Sequence, residues 1–328
     1  ELDNRQSAFN EFQQRIKKAN VLVEKILSIE KDEIGRINYS MEKLRLKQRG
    51  LELQNRYDEQ AKLWLIEQRK KLQVNYHELE KKLLDLRQLL NRDSVVMRMA
   101  NGETTVLPIA NIVRAYYPNA MTVWEKIFFY LNKCWEFLSE QPREANTEGG
   151  IFPALFGTVV MVLIMSILVT PLGVIAALYL KEYAAQGLMN RIIRIAVNNL
   201  AGVPSIVYGV FGLGFFVYFL GSHIDSLFYP EAFPAPTFWT PGLLWTSLTL
   251  ALLTLPVVIV ATEEGLNRIP RSYREASLAL GATKAETLWR VVLPMASPAL
   301  MTGLILAIAR AAGEVAPLML VGVVKLAP

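Results

Sequence analysis

Two charged side chains, Arg310 and Glu314, interrupt an otherwise apolar stretch near the C-terminal end. Four residues apart on a helix, they share one face. A charge inside a membrane-length apolar stretch is costly and faces a bundle interior or a water-filled path. Arginine's planar fork suits oxyanions, and a salt bridge to Glu314 competes for it. Two readings follow: Arg310 offers an anion contact that Glu314 restrains when no substrate is present, or the pair only locks helices together. A second chemical feature is the charged loop 263–290, which carries Glu275-Ala276-Ser277 and then Gly281. Tyr273 to Leu280 favours a short helix with Ala276, Ala279 and Leu280 as its apolar side. Gly281 can supply the left-handed position that ends it. Small residues there let a partner approach closely, as helix-in-groove docking requires.

Catalytic chemistry is scarce. With one cysteine, Cys134, an intrachain disulfide is excluded, and the distant His77 and His223 exclude a Cys/His zinc site. No Gly-x-x-x-x-Gly-Lys-Ser/Thr phosphate loop and no Gly-x-Ser-x-Gly elbow occurs in the chain. The chain is therefore not expected to be an enzyme or to bind a metal or cofactor directly.

The elements that must position these residues are of two unlike kinds. The chain has 328 residues, is 52% hydrophobic and carries a net charge of +5. Residues 1–148 hold 25 Lys+Arg and 22 Asp+Glu, whereas residues 149–328 hold only 10 and 8. That split excludes a uniformly soluble globule and predicts a soluble head followed by a membrane half. Bases interleaved with acids argue against nucleic-acid binding. After Glu148 come four long uncharged stretches: Ile151–Leu180, Ile195–Ser222, Ala232–Thr262, and Val291–Ala309 continuing past Arg310 and Glu314 to Val324. A span needs roughly 20 apolar residues, so each can cross a bilayer. Prolines within them are tolerated where neighbours re-satisfy the backbone.

The loops 181–194 and 263–290 are basic, and the loop 223–231 carries only Asp225 and Glu231. Basic short loops stay in the cytoplasm, which places residues 1–148 outside it. A long head escapes that rule. Its export then calls for a span before Glu1, and the chain is read as part of a longer one.

The head reads as helical. Residues 1–92 contain no proline and only Gly35 and Gly50. Phe9, Ile16 and Val23 repeat every seven residues, with Phe12, Ala19 and Ile26 offset by three. A second register runs Ile37, Leu44, Leu51, Asp58, Leu65, Leu72, Leu79, Leu86, with polar partners at Gln48, Asn55, Lys62 and Arg69. This predicts a coiled coil with a stutter near Glu30, folded back as a hairpin turning near Gly35 or Gly50. Its role is read as a spacer or as a docking surface for a binding protein. Val95 to Ile109 predicts a β-hairpin with a type I′ turn at Asn101-Gly102. Met121 to Leu138 sets Trp124, Ile127, Phe128, Leu131, Trp135 and Leu138 at helical spacing, as in a helix lying in a membrane interface. The alternative is burial of that face against the head.

The loop residues carry a resemblance. Glu275-Ala276-Ser277, three residues, Gly281, nine residues, Val291, one residue, Leu293-Pro294 resembles the EAA loop of ABC importer permeases, departing at Ser277 for Ala and Val291 for Ile. Ala309-Arg310-Ala311-Ala312-Gly313-Glu314-Val315-Ala316-Pro317-Leu318 resembles the Arg-Ala-x-Gly-Glu-Thr-Ala-Pro signature of the phosphate-specific members, with Val315 for Thr. Gly202–Phe211 and Gly149–Thr158 resemble stretches of the same family, and the head resembles the enlarged A-type subunit of some proteobacterial phosphate systems.

The resemblance implies a type I importer permease fold: an all-α polytopic membrane protein, four spans of an expected six, with a mainly helical coiled-coil extracytoplasmic head. The missing spans would precede Glu1 and follow Pro328. It implies import of inorganic phosphate through the bacterial inner membrane by alternating access. It makes Glu275, Ala276, Ser277, Gly281, Leu293 and Pro294 the coupling residues, with Glu275 capping or positioning the helix and Gly281 making the turn. Arg310 and Glu314 would lie on the substrate path. The implied partners are a second permease subunit, two ABC ATPase subunits that bind ATP and Mg, an extracytoplasmic phosphate-binding protein and membrane lipid. The alternatives are a permease for sulfate or molybdate, and a coiled-coil membrane scaffold.

Overall fold

The computed structural model describes residues 2–99, 101–143, 146–185 and 187–322. The chain forms two compact units, Glu1–Phe128 with Pro230–Phe233, and Phe129–Tyr229 with Pro234–Pro328.

In the first unit, α1 (Leu2–Ser28) passes through a wide π turn at Ile29–Ile34 into α2 (Gly35–Leu53), and α3 (Glu59–Leu90) returns. The wide turn sits where the heptad register slips. Ile16, Ala19, Ile26, Ile29, Leu65 and Leu83 are buried, so the apolar repeat does line the inner face. The reversal lies neither at Gly35 nor at Gly50, both of which are helical. It lies at residues 54–58: Asn55 adopts φ 53° and Asp58 caps α3, accepting the Ala61 N–H at 2.9 Å. Asn enters the left-handed region more readily than most residues, and Asp is a strong N-cap. The two polar breaks in the heptad series were thus the turn itself. Two other polar seam residues satisfy each other, Arg69 donating to Gln48 at 2.6 Å.

Strands β1 (Ser94–Arg98) and β2 (Thr104–Pro108) pair antiparallel from Ser94↔Pro108 to Arg98↔Thr104. Met99 N–H donates to Glu103 at 2.8 Å and Gly102 N–H to Met99 at 3.0 Å, with Gly102 at φ 91°. The connection is one residue longer than a type I′ turn, the form in which a left-handed glycine follows the turn. Ile109 packs on Ile16 and Ala19, which joins the hairpin to α1. The segment 230–233 belongs to this unit through Arg45, which donates to the carbonyls of Ala232 and Phe233 at 3.1 and 3.2 Å. Helix α4 (Val123–Ser139) then leads away and buries no residue.

The second unit begins with a short antiparallel pair, β3 (Pro142–Arg143) and β4 (Glu148–Gly149). Its helices are α5 (Phe152–Leu178), α6 (Leu188–Leu200), α7 (Ser205–Phe211), α8 (Ser222–Phe228), α9 (Leu243–Asn267), α10 (Arg271–Ala279), α11 (Lys284–Thr287), α12 (Leu293–Ala312) and α13 (Ala316–Val321). Wide turns merge some of these. Among the described residues four continuous helices are long and apolar enough to span a bilayer: Phe152–Tyr183, Ser205–Phe228, Leu243–Asn267 and Lys284–Ala312.

Two spans start later than the uncharged stretches suggested. The second starts at Ser205 because Pro204, extended at ψ 137°, separates it from α6. The third starts at Leu243 because Pro230, Pro234, Pro236 and Pro241 keep the preceding segment out of a long helix. The tail of the fourth stretch, Val323 and Val324, lies outside the described residues.

Helices α5, α9 and α12 share the main core around Met161, Met165, Val169, Leu250, Val258, Ala307 and Ala311. Close packing of α9 on α12 rests on small residues: a Cβ on Gly303 would lie 2.5 Å from the Ala261 Cβ, and one on Gly265 2.6 Å from that of Ala299. The buried hydroxyls of α9 are satisfied within the helix, Thr246, Ser247, Thr249, Thr254 and Thr262 each donating to the carbonyl four residues back. This back-bonding leaves none of the five hydroxyls unpaired in the apolar core. At one end, fully buried Asp225 accepts from the N–H groups of Phe238 and Trp239 at 2.7–3.0 Å. It anchors the connection leading toward α9.

Candidate functional site

Helix α10 stands at the end of the span α9 and buries none of its residues. Tyr273, Ala276, Leu278 and Leu280 all face outward, Leu280 with 90% of its surface open. The helix ends in a complete Schellman motif. Ala282 N–H donates to Ser277 at 3.3 Å and Gly281 N–H to Leu278 at 3.0 Å, with Gly281 at φ 87°. Glu275 lies at the fifth position of α10 and is exposed. It does not cap the helix, because capping needs a residue at or before the first turn and Pro270 occupies that place.

Ser277, the departure from the family's alanine, shares a 2.9 Å hydrogen bond with the buried Thr287 hydroxyl. That bond ties α10 to α11 across the turn. Beyond it, Lys284–Ala312 is one helix of 29 residues. Pro294 cannot donate to a carbonyl one turn back, and the wide π turn at Leu288–Val292 immediately precedes it. Leu293 lines an apolar groove of about 400 Å³ with Leu178, Tyr179, Tyr183, Leu288 and Trp289.

The loop is fastened from below. Arg274 donates to the carbonyls of Leu266 and Ile269 at 3.0 and 3.1 Å and pairs with Glu182 at 3.1 Å. Lys284 Nζ reaches the Glu182 carbonyl, and Arg194 pairs with Glu263 at 3.4 Å. The two basic loops therefore meet at one end of the helices. Glu182, Arg274, Lys284 and Thr287 were not among the expected site residues. The one signal for them was that charge placed 181–194 and 263–290 on the same side.

Arg310 lies at the far end of the same long helix, about 40 Å from Lys284 at 1.5 Å rise per residue. Its Nε is 3.7 Å from a Glu314 oxygen, with 34% and 19% of the two side chains exposed. The pair is not stacked on one helix face: α12 ends at Ala312 and Gly313 caps it. Glu314 reaches back from the turn, and the contact is too long for a hydrogen bond. Arg310 thus keeps its fork partly open. The following α13 packs on α7, where a Cβ on Gly209 would lie 3.1 Å from the Pro317 Cα and 2.9 Å from Leu320 Cδ1. Two stretches a hundred residues apart, 202–211 and 309–318, meet there beside Arg310.

The second unit is thus a bundle of membrane-length helices that presents an exposed, tightly turned helix at the end of one span. A family profile described as "Binding-protein-dependent transport system inner membrane component" matches residues 169–326. The chain is 36% identical over 231 residues to phosphate transport system permease protein PstA 1 of Mycobacterium tuberculosis (strain ATCC 25618 / H37Rv), covering 69% of each chain. It is 41% identical over 235 residues to phosphate transport system permease protein PstA of Mycobacterium leprae (strain TN), covering 70% of this chain and 71% of that one. It is 33% identical over 172 residues to the protein of the same name from Xylella fastidiosa (strain 9a5c), covering 52% and 54%. The chain belongs to the family of phosphate transport system permease proteins.

Proposed function

We propose that this chain is the membrane-embedded permease subunit of an ATP-driven ABC importer that carries inorganic phosphate across the bacterial inner membrane by alternating access. The observation that carries the reading is mechanical. The exposed helix α10 is joined through Gly281 and the Ser277–Thr287 bond to one continuous helix, 284–312, that bears Arg310 at its other end.

A separate ATPase receives α10, and its ATP-driven closure displaces the 275–294 segment and tilts the long helix. Glu275 and Ala276 contribute contacts from the open side of α10. Leu293 and Pro294 form the root of the lever. At the far end Arg310 gives the anion a charge-assisted contact, and Glu314 holds the guanidinium when the path is empty. Hydrolysis, with its ATP and Mg, belongs to the two ATPase subunits. A second permease subunit completes the path, and a phosphate-binding protein delivers substrate on the side of residues 1–148, the periplasm.

The test is ATP-dependent uptake of labelled phosphate, against labelled sulfate and molybdate, in vesicles holding the full complex. Phosphate uptake that Arg310→Gln abolishes while assembly is preserved is expected. Preference for sulfate or molybdate would overturn the substrate, and normal uptake by Arg310→Gln would overturn the role of the arginine.

A further inference from the structure

Helix α4 is arranged inside out for a helix on a soluble surface. Its less exposed residues are Phe129, Lys133 and Glu136, and Lys133 pairs with Glu136 at 2.9 Å. Six of its apolar residues, Trp124, Ile127, Phe128, Leu131, Trp135 and Leu138, are exposed, the two tryptophans to 72% and 70%, and Val123, Tyr130 and Phe137 are exposed on the flank beside them. At 100° per residue these six fall within one face of the helix. Such a face does not stay in water.

The position of α4 identifies what covers the face. Ile151 N–H donates to the Phe137 carbonyl at 2.8 Å, Gly150 N–H to Gln141 at 3.2 Å and Phe152 N–H to Glu140 at 3.3 Å. With the β3–β4 pair, these bonds lock the end of α4 to the start of the span α5. The first turns of that span continue the exposed apolar surface with Phe152, Leu155 and Phe156. At 17 residues, α4 is about 26 Å long, short of a full span. Tryptophan-rich amphipathic helices bound to a span end settle at the level of the lipid headgroups.

We infer that α4 lies in the bilayer interface at the start of α5, its tryptophan face among the lipids and its Lys133–Glu136 side toward the protein. It thereby sets the depth at which the first span enters. This inference is independent of the substrate and of the ATPase coupling.

Cys134 is the one cysteine in the chain, is exposed, and borders the apolar face of α4. The test is a nitroxide on Cys134 in the full complex, reconstituted in phosphatidylethanolamine and phosphatidylglycerol vesicles. Collision with oxygen and with a water-soluble nickel chelate is then compared. Oxygen is expected to dominate at Cys134, at about 5–10 Å below the headgroups. The chelate is expected to dominate at a Lys126→Cys label placed in a Cys134→Ser background. Dominance of the chelate at both sites would put α4 in water, and shielding of Cys134 from both reagents would put a protein partner on the face. Either result overturns the proposal.

Discussion

The turn at Gly281 offers a demanding test, because its geometry separates backbone conformation from space. Gly281 has φ 87°, and a Cβ added there meets nothing within 4 Å. Alanine therefore fits sterically but must adopt a left-handed backbone, at about 1–2 kcal/mol. At 1.4 kcal/mol per tenfold, the docking-competent turn loses roughly 5- to 30-fold in population. The two hydrogen bonds onto Ser277 and Leu278 loosen with it. Gly281→Ala should weaken ATPase binding to the permease in lipid nanodiscs by that factor, and lower ATP-driven phosphate uptake in parallel when ATPase is limiting. Gly281→Asn should recover most of the loss, since Asn visits the left-handed region. Gly281→Trp, which also adds bulk to the exposed turn, should bind worst. If Ala and Asn both match Gly, or Asn is as poor as Ala, the left-handed turn is not what the ATPase needs.

Arg310→Lys should keep assembly but slow uptake, because an ammonium replaces the planar fork with a point charge; wild-type initial rates would remove the case for arginine geometry. Ser277→Ala should loosen the loop by about 1 kcal/mol by orphaning the Thr287 hydroxyl, read as faster hydrogen exchange in 277–287, with Ser277→Ala/Thr287→Val less affected than the single change. Gly209→Ala should destabilise the assembled complex by about 1–3 kcal/mol, as its Cβ meets Pro317 and Leu320; an unchanged melting temperature would contradict that packing. In the head, the hydrogen bond from Arg92 holds the Asp93 carboxyl below its ordinary 3.8, opposed by partial burial and aided by the charges of Arg92 and Arg15. With the folded value below the unfolded one, this stabilisation is present at neutral pH and is lost as pH falls from about 4 through the depressed value. Amides of α1 and β1 should then exchange faster at pH 3 than the base-catalysed trend predicts, and Asp93→Asn should remove the excess.

Hydropathy, charge and spacing carried much of the outcome on their own. A helix in lipid must satisfy its backbone internally, so an uncharged run of membrane length has few alternatives to spanning. That is why four spans, and the pairing of the 181–194 and 263–290 loops at one end, were readable from composition. The heptad repeat likewise marked the inner face of the head, because apolar residues at that period must find a common side. Glu275, Ala276, Ser277, Gly281, Leu293 and Pro294 stood out as a set through their resemblance to the family's loop, while the residue types alone marked only a short helix ended at Gly281.

Tertiary structure decided what depends on partners distant in the chain. The hairpin turns at Asn55 and Asp58 rather than at a glycine, because α3 must be capped where it starts to pack back on α2. Glu275 is left on the open side of α10, because Arg274 hooks the underside of that helix onto Leu266, Ile269 and Glu182. Ser277 finds its reason in Thr287. The loose contact between Arg310 and Glu314 depends on where α12 ends. Residue type and period determine which side of an element is apolar; which element covers that side, and which polar groups it leaves to be paired, is settled only when the chain folds back on itself.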